Sequence, residues 1–89
     1  MATEKEELFS LRNQIDGIDD SLQKLLNQRA QIVKQVGKIK NNHGSFAKIR
    51  PAREAEILYR LVKQNEGPFP RAELARIWRE LIVATIHFE

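Results

Sequence analysis

The chain has 89 residues, enough for one small domain, and we expect that domain to span residues 1–89. Because it contains no cysteine, disulfides and thiol-based zinc or catalytic sites are excluded, and two isolated histidines, His43 and His87, argue against a metal site. The most apolar segment, residues 81–88, is too short to cross a bilayer, and the acidic first residues are unlike a signal peptide. These features predict a soluble, cytoplasmic protein without a membrane partner.

Positive charge is concentrated in the middle of the chain. Residues 21–50 contain seven lysines and arginines and no acid, whereas residues 1–20 contain six acids and two bases. A long cationic segment favours an anionic partner. Acids at the start and bases at the end of one long helix would equally suit the helix dipole, so both interpretations remain open at this point.

The first predicted element is one long helix, from about residue 6 to about residue 41. Its evidence is a heptad pattern with 3-4 spacing, unbroken by proline, which we call the seam. Gly44 is a candidate C-terminal cap, and Gly17 and Gly37, inside the helix, are expected to permit a close approach. The seam consists of Leu8, Leu11, Ile15, Ile18, Leu22, Leu25, Arg29, Ile32, Val36 and Ile39.

Two shorter helices follow. Pro51 is predicted to open the second, which reaches about Gln64, and Pro70 is predicted to open the third after a turn at residues 65–70. The end of the third helix, residues 82–86, is apolar nearly all round and is expected to be deeply buried. No strand pattern or repeat is present, so the predicted fold is all-α, with one long and two short helices.

The length of the first helix predicts the oligomeric state. A helix of roughly 35 residues is about 52 Å long, whereas a compact chain of this size is only about 30 Å across. Two short helices cannot cover the seam from end to end, so a second chain is expected to cover the remainder in an intertwined homodimeric helical bundle. The alternative is a monomer with a frayed N-terminus.

Arg29 is the one charged residue in the seam. A buried guanidinium without a partner is very costly, so an anion should meet it, unless the side chain reaches solvent from the edge of the bundle. Lys40 lies 11 residues further, about 16 Å along the axis, and the two cations could bracket a small anion. Arg12, about 25 Å from Arg29, could join that site only from another chain, and is otherwise a surface arginine.

Polar residues also fall on the inner lines of the shorter helices. Glu54 lies on the apolar stripe of the second helix, although a first-turn glutamate also suits the helix dipole. Thr85 and Glu89 continue the inner line of the third helix, where an ordinary threonine would bond to its own backbone. Because no nucleophile, well-tuned base or phosphate loop is evident, we expect chemistry that needs neither covalent catalysis nor a cofactor.

These residues occur in an order that resembles the all-helical chorismate mutases. The similarity covers residues 5–89, and the run from Arg50 to Ala55, with Gly67-Pro68 before the last helix, is most similar to the mutase domain of bifunctional chorismate mutase–prephenate dehydratases. The motifs are Leu11-Arg12-x2-Ile15-x2-Ile18-Asp19, Leu25-Leu26-x2-Arg29, Val36-Gly37-x-Ile39-Lys40 and Arg50-Pro51-x-Arg53-Glu54.

The resemblance implies an isomerase that converts chorismate to prephenate in phenylalanine and tyrosine synthesis, with two sites each built from both chains of a dimer. It implies that Arg29 and Arg12 of the partner subunit bind the two substrate carboxylates. Lys40 would donate to the breaking ether oxygen, and Glu89 would face that oxygen from the other side. Glu54 would accept a hydrogen bond from the ring hydroxyl.

The remaining implied contacts lie around this centre. Arg53 would support the pocket, Thr85 would assist at a carboxylate, and Val36, Ile82 and Ile86 would form the wall against the ring. Three positions depart from the family pattern: Thr85 replaces a serine, Arg50 stands where an aspartate contacts the ring hydroxyl, and Glu89 replaces a glutamine. Glu89 would therefore have to be protonated to donate to the ether oxygen.

Three alternatives differ from this interpretation. An isochorismate-pyruvate lyase would use a similar scaffold and similar cations. A non-enzymatic helical module could bind nucleic acid through the basic segment, although Arg29 would then point inward. A purely structural coiled-coil dimer would leave Arg29 and Glu54 without a role.

Overall fold

The computed structural model describes residues 3–42 and 51–88. It contains helix α1 (Glu4–Asn42), helix α2 (Pro51–Gln64), helix α3 (Arg71–Thr85) and a short 3₁₀ helix (Ile86–Phe88). No strand occurs within these two ranges. The prediction of an all-α fold with one long and two short helices is therefore confirmed, while Gly44 lies outside the described residues.

Helix α1 begins two residues earlier than the apolar pattern predicts, because Thr3 caps it. The Thr3 hydroxyl oxygen accepts a hydrogen bond from the backbone N–H of Glu6 at 3.1 Å, which satisfies one of the free donors of the first turn. Three acids in that turn, Glu4, Glu6 and Glu7, add a favourable interaction with the helix dipole. The helix then continues without interruption for 39 residues.

The two shorter helices begin at prolines, as predicted, with one difference of detail. Pro51 is the first residue of α2, whereas Pro70 is the N-cap of α3, in extended conformation, so that α3 begins at Arg71. The turn between them is closed by Asn65, whose side-chain amide donates to the carbonyl oxygen of Phe69 at 2.8 Å. This bond holds the two ends of the turn together.

The chain divides into two units, Met1–Ile32 and Val33–Glu89. In the first unit, every described residue except Arg29 and Ala30 is exposed, and the seam leucines and isoleucines keep 46–60% of their surface in solvent. Apart from the backbone of its own helix, nothing lies within 4 Å of the position where a Cβ on Gly17 would stand, so the close approach expected at Gly17 is wrong for the single chain. The apolar seam of this part of α1 is therefore exposed in the single chain.

In the second unit, α2 packs against α3 around Ile57, which is 8% exposed and is the buried apolar side chain of the described residues. The expected deep burial of residues 82–86 is wrong for the single chain: Val83 is 60% exposed, Ala84 is exposed, and Ile82, Thr85 and Ile86 are only half-buried. The reason is that one layer of short helices covers only one face of α3.

The last part of α1 turns a different face inward from the seam. Val33 is half-buried and Gly37 is buried, whereas the seam residues Val36 and Ile39 remain exposed. The burial of Gly37 agrees with the close approach predicted for it. In the described part of the chain, no helix has the length and apolar character needed to cross a membrane.

Candidate active site

Arg29 is the one half-buried member of the seam. Its seam neighbours Leu25 and Ile32 are exposed. The ion pairs between described residues, Arg53–Glu56 and Arg76–Glu73, do not involve it. A half-buried arginine packs its aliphatic stem against the protein and can still direct its guanidinium at an anion.

The other predicted cations are described to different extents. Arg12 is exposed in the first unit. Lys40 lies in the last turn of α1, and its backbone alone is described. Arg50 lies outside the described residues, and so does Glu89, so their predicted positions at the site stay predictions.

Helix α2 directs two neighbouring charged residues to opposite sides. Glu54 is half-buried and lies one turn before the buried Ile57, as its place on the apolar stripe predicts. Arg53 is exposed, and its guanidinium lies 3.3 Å from the carboxylate of Glu56, three residues further along the helix. Glu54 is therefore the carboxylate that α2 presents toward the interior of the second unit.

Helix α3 places a hydroxyl between two apolar side chains. Ile82, Thr85 and Ile86 are spaced by three and four residues, so they share one face, and all three are half-buried. The Thr85 hydroxyl donates to the backbone carbonyl of Leu81 at 3.0 Å, with the carbonyl of Ile82 at 3.5 Å. This is the ordinary bond of a helical threonine, and the hydroxyl must rotate away from it to donate to a ligand.

The second unit thus contains Val36, Lys40, Glu54 and the face of α3 that carries Thr85. Glu54 and Thr85 are half-buried, Val36 is exposed, and Lys40 is described by its backbone alone. The first unit contains the two guanidinium groups, Arg12 and Arg29. Within the described residues, no group of three His, Asp or Glu side chains could hold a metal ion. Groups of these kinds, cations, a carboxylate and a hydroxyl, are suited to electrostatic rather than covalent chemistry on a small anion.

One interaction in the second unit involves residues that the sequence analysis did not identify as functional. The ammonium group of Lys34 lies 5.5 Å from the centroid of the Phe88 ring. No local pattern signals this contact, because the two residues are far apart in the sequence.

A three-helix, all-α domain of this kind has solved counterparts. The chorismate mutase of Thermus thermophilus in its form II structure superimposes with a TM-score of 0.87 and 28% identity, over 92% of each chain. Its form I structure gives a TM-score of 0.85 and 29% identity, over 90% of this chain.

Sequence comparison leads to the same family. The family model described as chorismate mutase type II matches residues 11–89. The bifunctional chorismate mutase/prephenate dehydratase of Aquifex aeolicus is 39% identical over 88 residues, and that of Neisseria gonorrhoeae is 41% identical over 75 residues. These matches cover 94% and 84% of this chain but only 24% and 20% of the relatives, so the chain spans about a fifth to a quarter of their length.

The chain belongs to the chorismate mutase type II family. This membership confirms the family that the order and spacing of the sequence motifs indicated.

Proposed function

We propose that this domain rearranges chorismate to prephenate. The observation that carries the proposal is the family match over residues 11–89, a range that contains Arg12, Arg29, Lys40 and Glu54. The shared fold, over 92% of a solved chorismate mutase, supports it.

The reaction suits the chemistry of these residues. One carbon–oxygen bond breaks while one carbon–carbon bond forms within the same molecule, so no atom or electron enters from outside. The protein has to hold the substrate in its reactive diaxial shape and to stabilise negative charge that develops on the ether oxygen. Fixed cations and hydrogen-bond donors perform both tasks, and no nucleophile or cofactor is required.

We assign the cations to the charged parts of the substrate. Arg29 binds one carboxylate, and its half-buried stem limits the directions in which the guanidinium can point. Arg12 of the partner subunit binds the other carboxylate, because about 25 Å of helix separates Arg12 from Arg29 in one chain. Lys40 donates to the ether oxygen, where its charge is most effective as the bond breaks.

Other residues orient the ring. Glu54, half-buried on the inner side of α2, accepts a hydrogen bond from the ring hydroxyl. Thr85 gives up its bond to the Leu81 carbonyl to donate to a carboxylate. Arg53 supports the pocket from the exposed side of α2, where it pairs with Glu56.

The remaining assignments concern the ether oxygen and the apolar wall. Glu89 faces the ether oxygen opposite Lys40 in its protonated form, and Arg50 takes the position near the ring hydroxyl. The wall against the ring consists of Val36, Ile82 and Ile86.

The assembly proposed for this function is an intertwined homodimer. The seam is continuous from Leu8 to Ile39, and its apolar members are 41–60% exposed in the single chain. A contiguous apolar stripe of this length is unusual on the surface of a monomer and indicates a protein partner. A second copy of the chain carries the same stripe and the complementary geometry of a two-fold interface.

The direct test is a spectrophotometric assay of chorismate loss with identification of prephenate as the product. Chorismate and isochorismate are supplied together and separately. Formation of prephenate from chorismate supports the proposal, whereas release of pyruvate from isochorismate alone would identify a lyase. Nucleic-acid binding that decreases steeply with salt, without turnover of either compound, would instead identify a binding module.

The shared site is tested by mixing two inactive variants, Arg12→Ala and Arg29→Ala, after unfolding and refolding. A heterodimer has one site with both arginines and one site with neither. Random reassortment should therefore restore about a quarter of the wild-type activity. Absence of recovery, with heterodimers demonstrated by mass spectrometry, would show that each site is built from one chain.

A further inference from the structure

The 3₁₀ helix that follows α3 is attached to α1 by an interaction between a cation and an aromatic ring. The ammonium group of Lys34 lies 5.5 Å from the centroid of the Phe88 ring, within the range of a cation–π interaction. Phe88 is half-buried, and its ring also lies against that of His87, with centroids 4.2 Å apart.

Lys34 is itself exposed, and its neighbours on α1 place it at the edge of a packed face. One turn further along α1, Gly37 is buried, and Val33 beside Lys34 is half-buried. Lys34 thus borders the face of α1 that is turned toward the rest of the second unit. Its side chain reaches from that face to the last residue of the 3₁₀ helix.

The segment that Lys34 contacts needs such an attachment. A 3₁₀ helix of three residues has few and poorly aligned hydrogen bonds, and it holds its conformation only when other parts of the protein contact it. Thr85 precedes this segment and Glu89 follows it in the sequence. Both are residues that the proposed function places at the substrate.

We propose that Lys34 and Phe88 form a positioning pair that fixes the 3₁₀ helix against α1 and thereby sets the place of Glu89 at the ether oxygen. The inference rests on the proposed function for its catalytic consequence. Lys34 does not touch the substrate, and it acts through Phe88. A group that assists mainly in the transition state affects kcat more than KM, so loss of its positioning should do the same.

The catalytic test compares Lys34→Met, which keeps the unbranched stem and removes the charge, with Lys34→Arg, which keeps a cation. Lys34→Met and Phe88→Leu should each lower kcat about two- to fivefold with little change in KM, and the double variant should lose no more than either alone. Lys34→Arg should keep kcat near the wild-type value. Equal losses in Lys34→Met and Lys34→Arg would overturn the proposal, because the charge would then not be the cause.

The chain offers a matched control in Lys63, whose ammonium group also lies 5.5 Å from an aromatic ring, that of Tyr59 one turn earlier on α2. This pair connects residues of a single helix, so Lys63→Met should leave kcat unchanged. If Lys63→Met lowered kcat as much as Lys34→Met, removal of a positive charge in general would explain both decreases, and the positioning role would be overturned.

The route through Glu89 is tested in a Glu89→Ala background. Lys34→Met should have no further effect on kcat there, because the group that it positions is gone. A full additional loss in that background would show that the pair acts by another route.

Nuclear magnetic resonance tests the contact without any turnover. The side-chain methylene protons next to the Lys34 ammonium should resonate upfield because of the Phe88 ring, and the shift should disappear in Phe88→Leu. An ordinary resonance position in the wild type would overturn the pair even if the enzyme is active. If the shift is present and chorismate is not converted, the proposed function has failed and the contact stands.

Discussion

The two units of the chain differ in how far each can sustain its own structure. Residues 4–32 form one helical stretch whose leucines and isoleucines are exposed, and a Cβ on Gly17 would meet nothing within 4 Å apart from the backbone of its own helix. Residues 33–89 contain packed helices, a turn closed by Asn65 and a buried isoleucine, Ile57. The first unit is as strongly patterned in sequence as the second, yet every leucine and isoleucine in its described part is exposed in the single chain.

This difference shows that a strong amphipathic pattern specifies a helix but does not supply a surface for it to pack against. Most of the stability of a helix in a protein comes from packing of its apolar face rather than from intrinsic propensity. The first unit is therefore expected to depend on a second chain, while the second unit has a small core of its own. The experiments below separate these two sources of stability and the contribution of each unit to catalysis.

The largest effect is expected from a charge in the seam of the first unit. Leu22 is 50% exposed in one chain and is buried in the proposed dimer, where a substitution at this position is present on both chains. Leu22→Asp should raise the dissociation constant by at least about 10³-fold, because apolar burial is lost and a charge is desolvated on both chains. Sedimentation velocity at several protein concentrations measures this.

The control for this experiment is Gln23→Asp, which adds the same charge one residue further, outside the seam. It should leave assembly nearly unchanged. The wild type should also unfold at a temperature that rises with protein concentration, as mass action requires for a dimer. A compact, stable wild-type monomer at micromolar concentration would contradict the proposed dependence of the first unit on a second chain.

The next effect concerns catalysis at the end of α1, in the second unit. Lys40→Ala should raise the activation free energy by about 3–4 kcal/mol, seen mainly as a decrease in kcat, because one donor to developing charge is lost. Lys38→Ala removes the same charge from an exposed position two residues earlier and should have little effect. A near-normal kcat in Lys40→Ala would indicate that Lys40 serves only as a cation at the helix end.

A third effect tests the core of the second unit. Ile57→Ala should lower the free energy of unfolding by about 2–4 kcal/mol, because it leaves a cavity between α2 and α3. Tyr59→Ala, on the same helix but 68% exposed, should cost less than about 1 kcal/mol. Chemical denaturation at fixed protein concentration compares the two, and equal losses would show that the buried position of Ile57 is not decisive.

The smallest effect concerns the pH dependence of activity and the last residue assigned to the site. Protonated Glu89 can donate to the ether oxygen, whereas its carboxylate would repel the charge that develops there. Activity should therefore fall as the pH rises through the range in which Glu89 loses its proton. Glu89→Gln should remove this dependence and keep activity at neutral pH.

The wild type and Glu89→Gln should both be assayed with the same short neutral C-terminal tail, which keeps the terminal carboxylate away from residue 89. Superimposable pH profiles for the wild type and Glu89→Gln would show that Glu89 does not face the ether oxygen.

The sequence determined the three α-helices and nearly all of their ends, but not the short 3₁₀ helix that follows α3. Heptad spacing and prolines are local signals, and they placed α1 within two residues of its observed start and α2 at its observed first residue. The two differences between predicted and observed helix starts are also local. Thr3 caps α1, and the spacing of apolar residues does not reveal a cap. Pro70 suits the N-cap as well as the first helical position. The inward direction of Glu54 followed from its spacing of four residues to Leu58 and seven to Leu61.

Only the tertiary structure decided which faces the helices turn to one another. It placed Val33 and Gly37, rather than the seam, on the inner side of the last part of α1, and it left Val83 exposed in an apolar segment expected to be buried. It also brought Lys34 to Phe88. The physical reason is the same for all three. Periodicity records that a face is apolar, whereas the surface that covers it depends on how segments distant in the sequence meet.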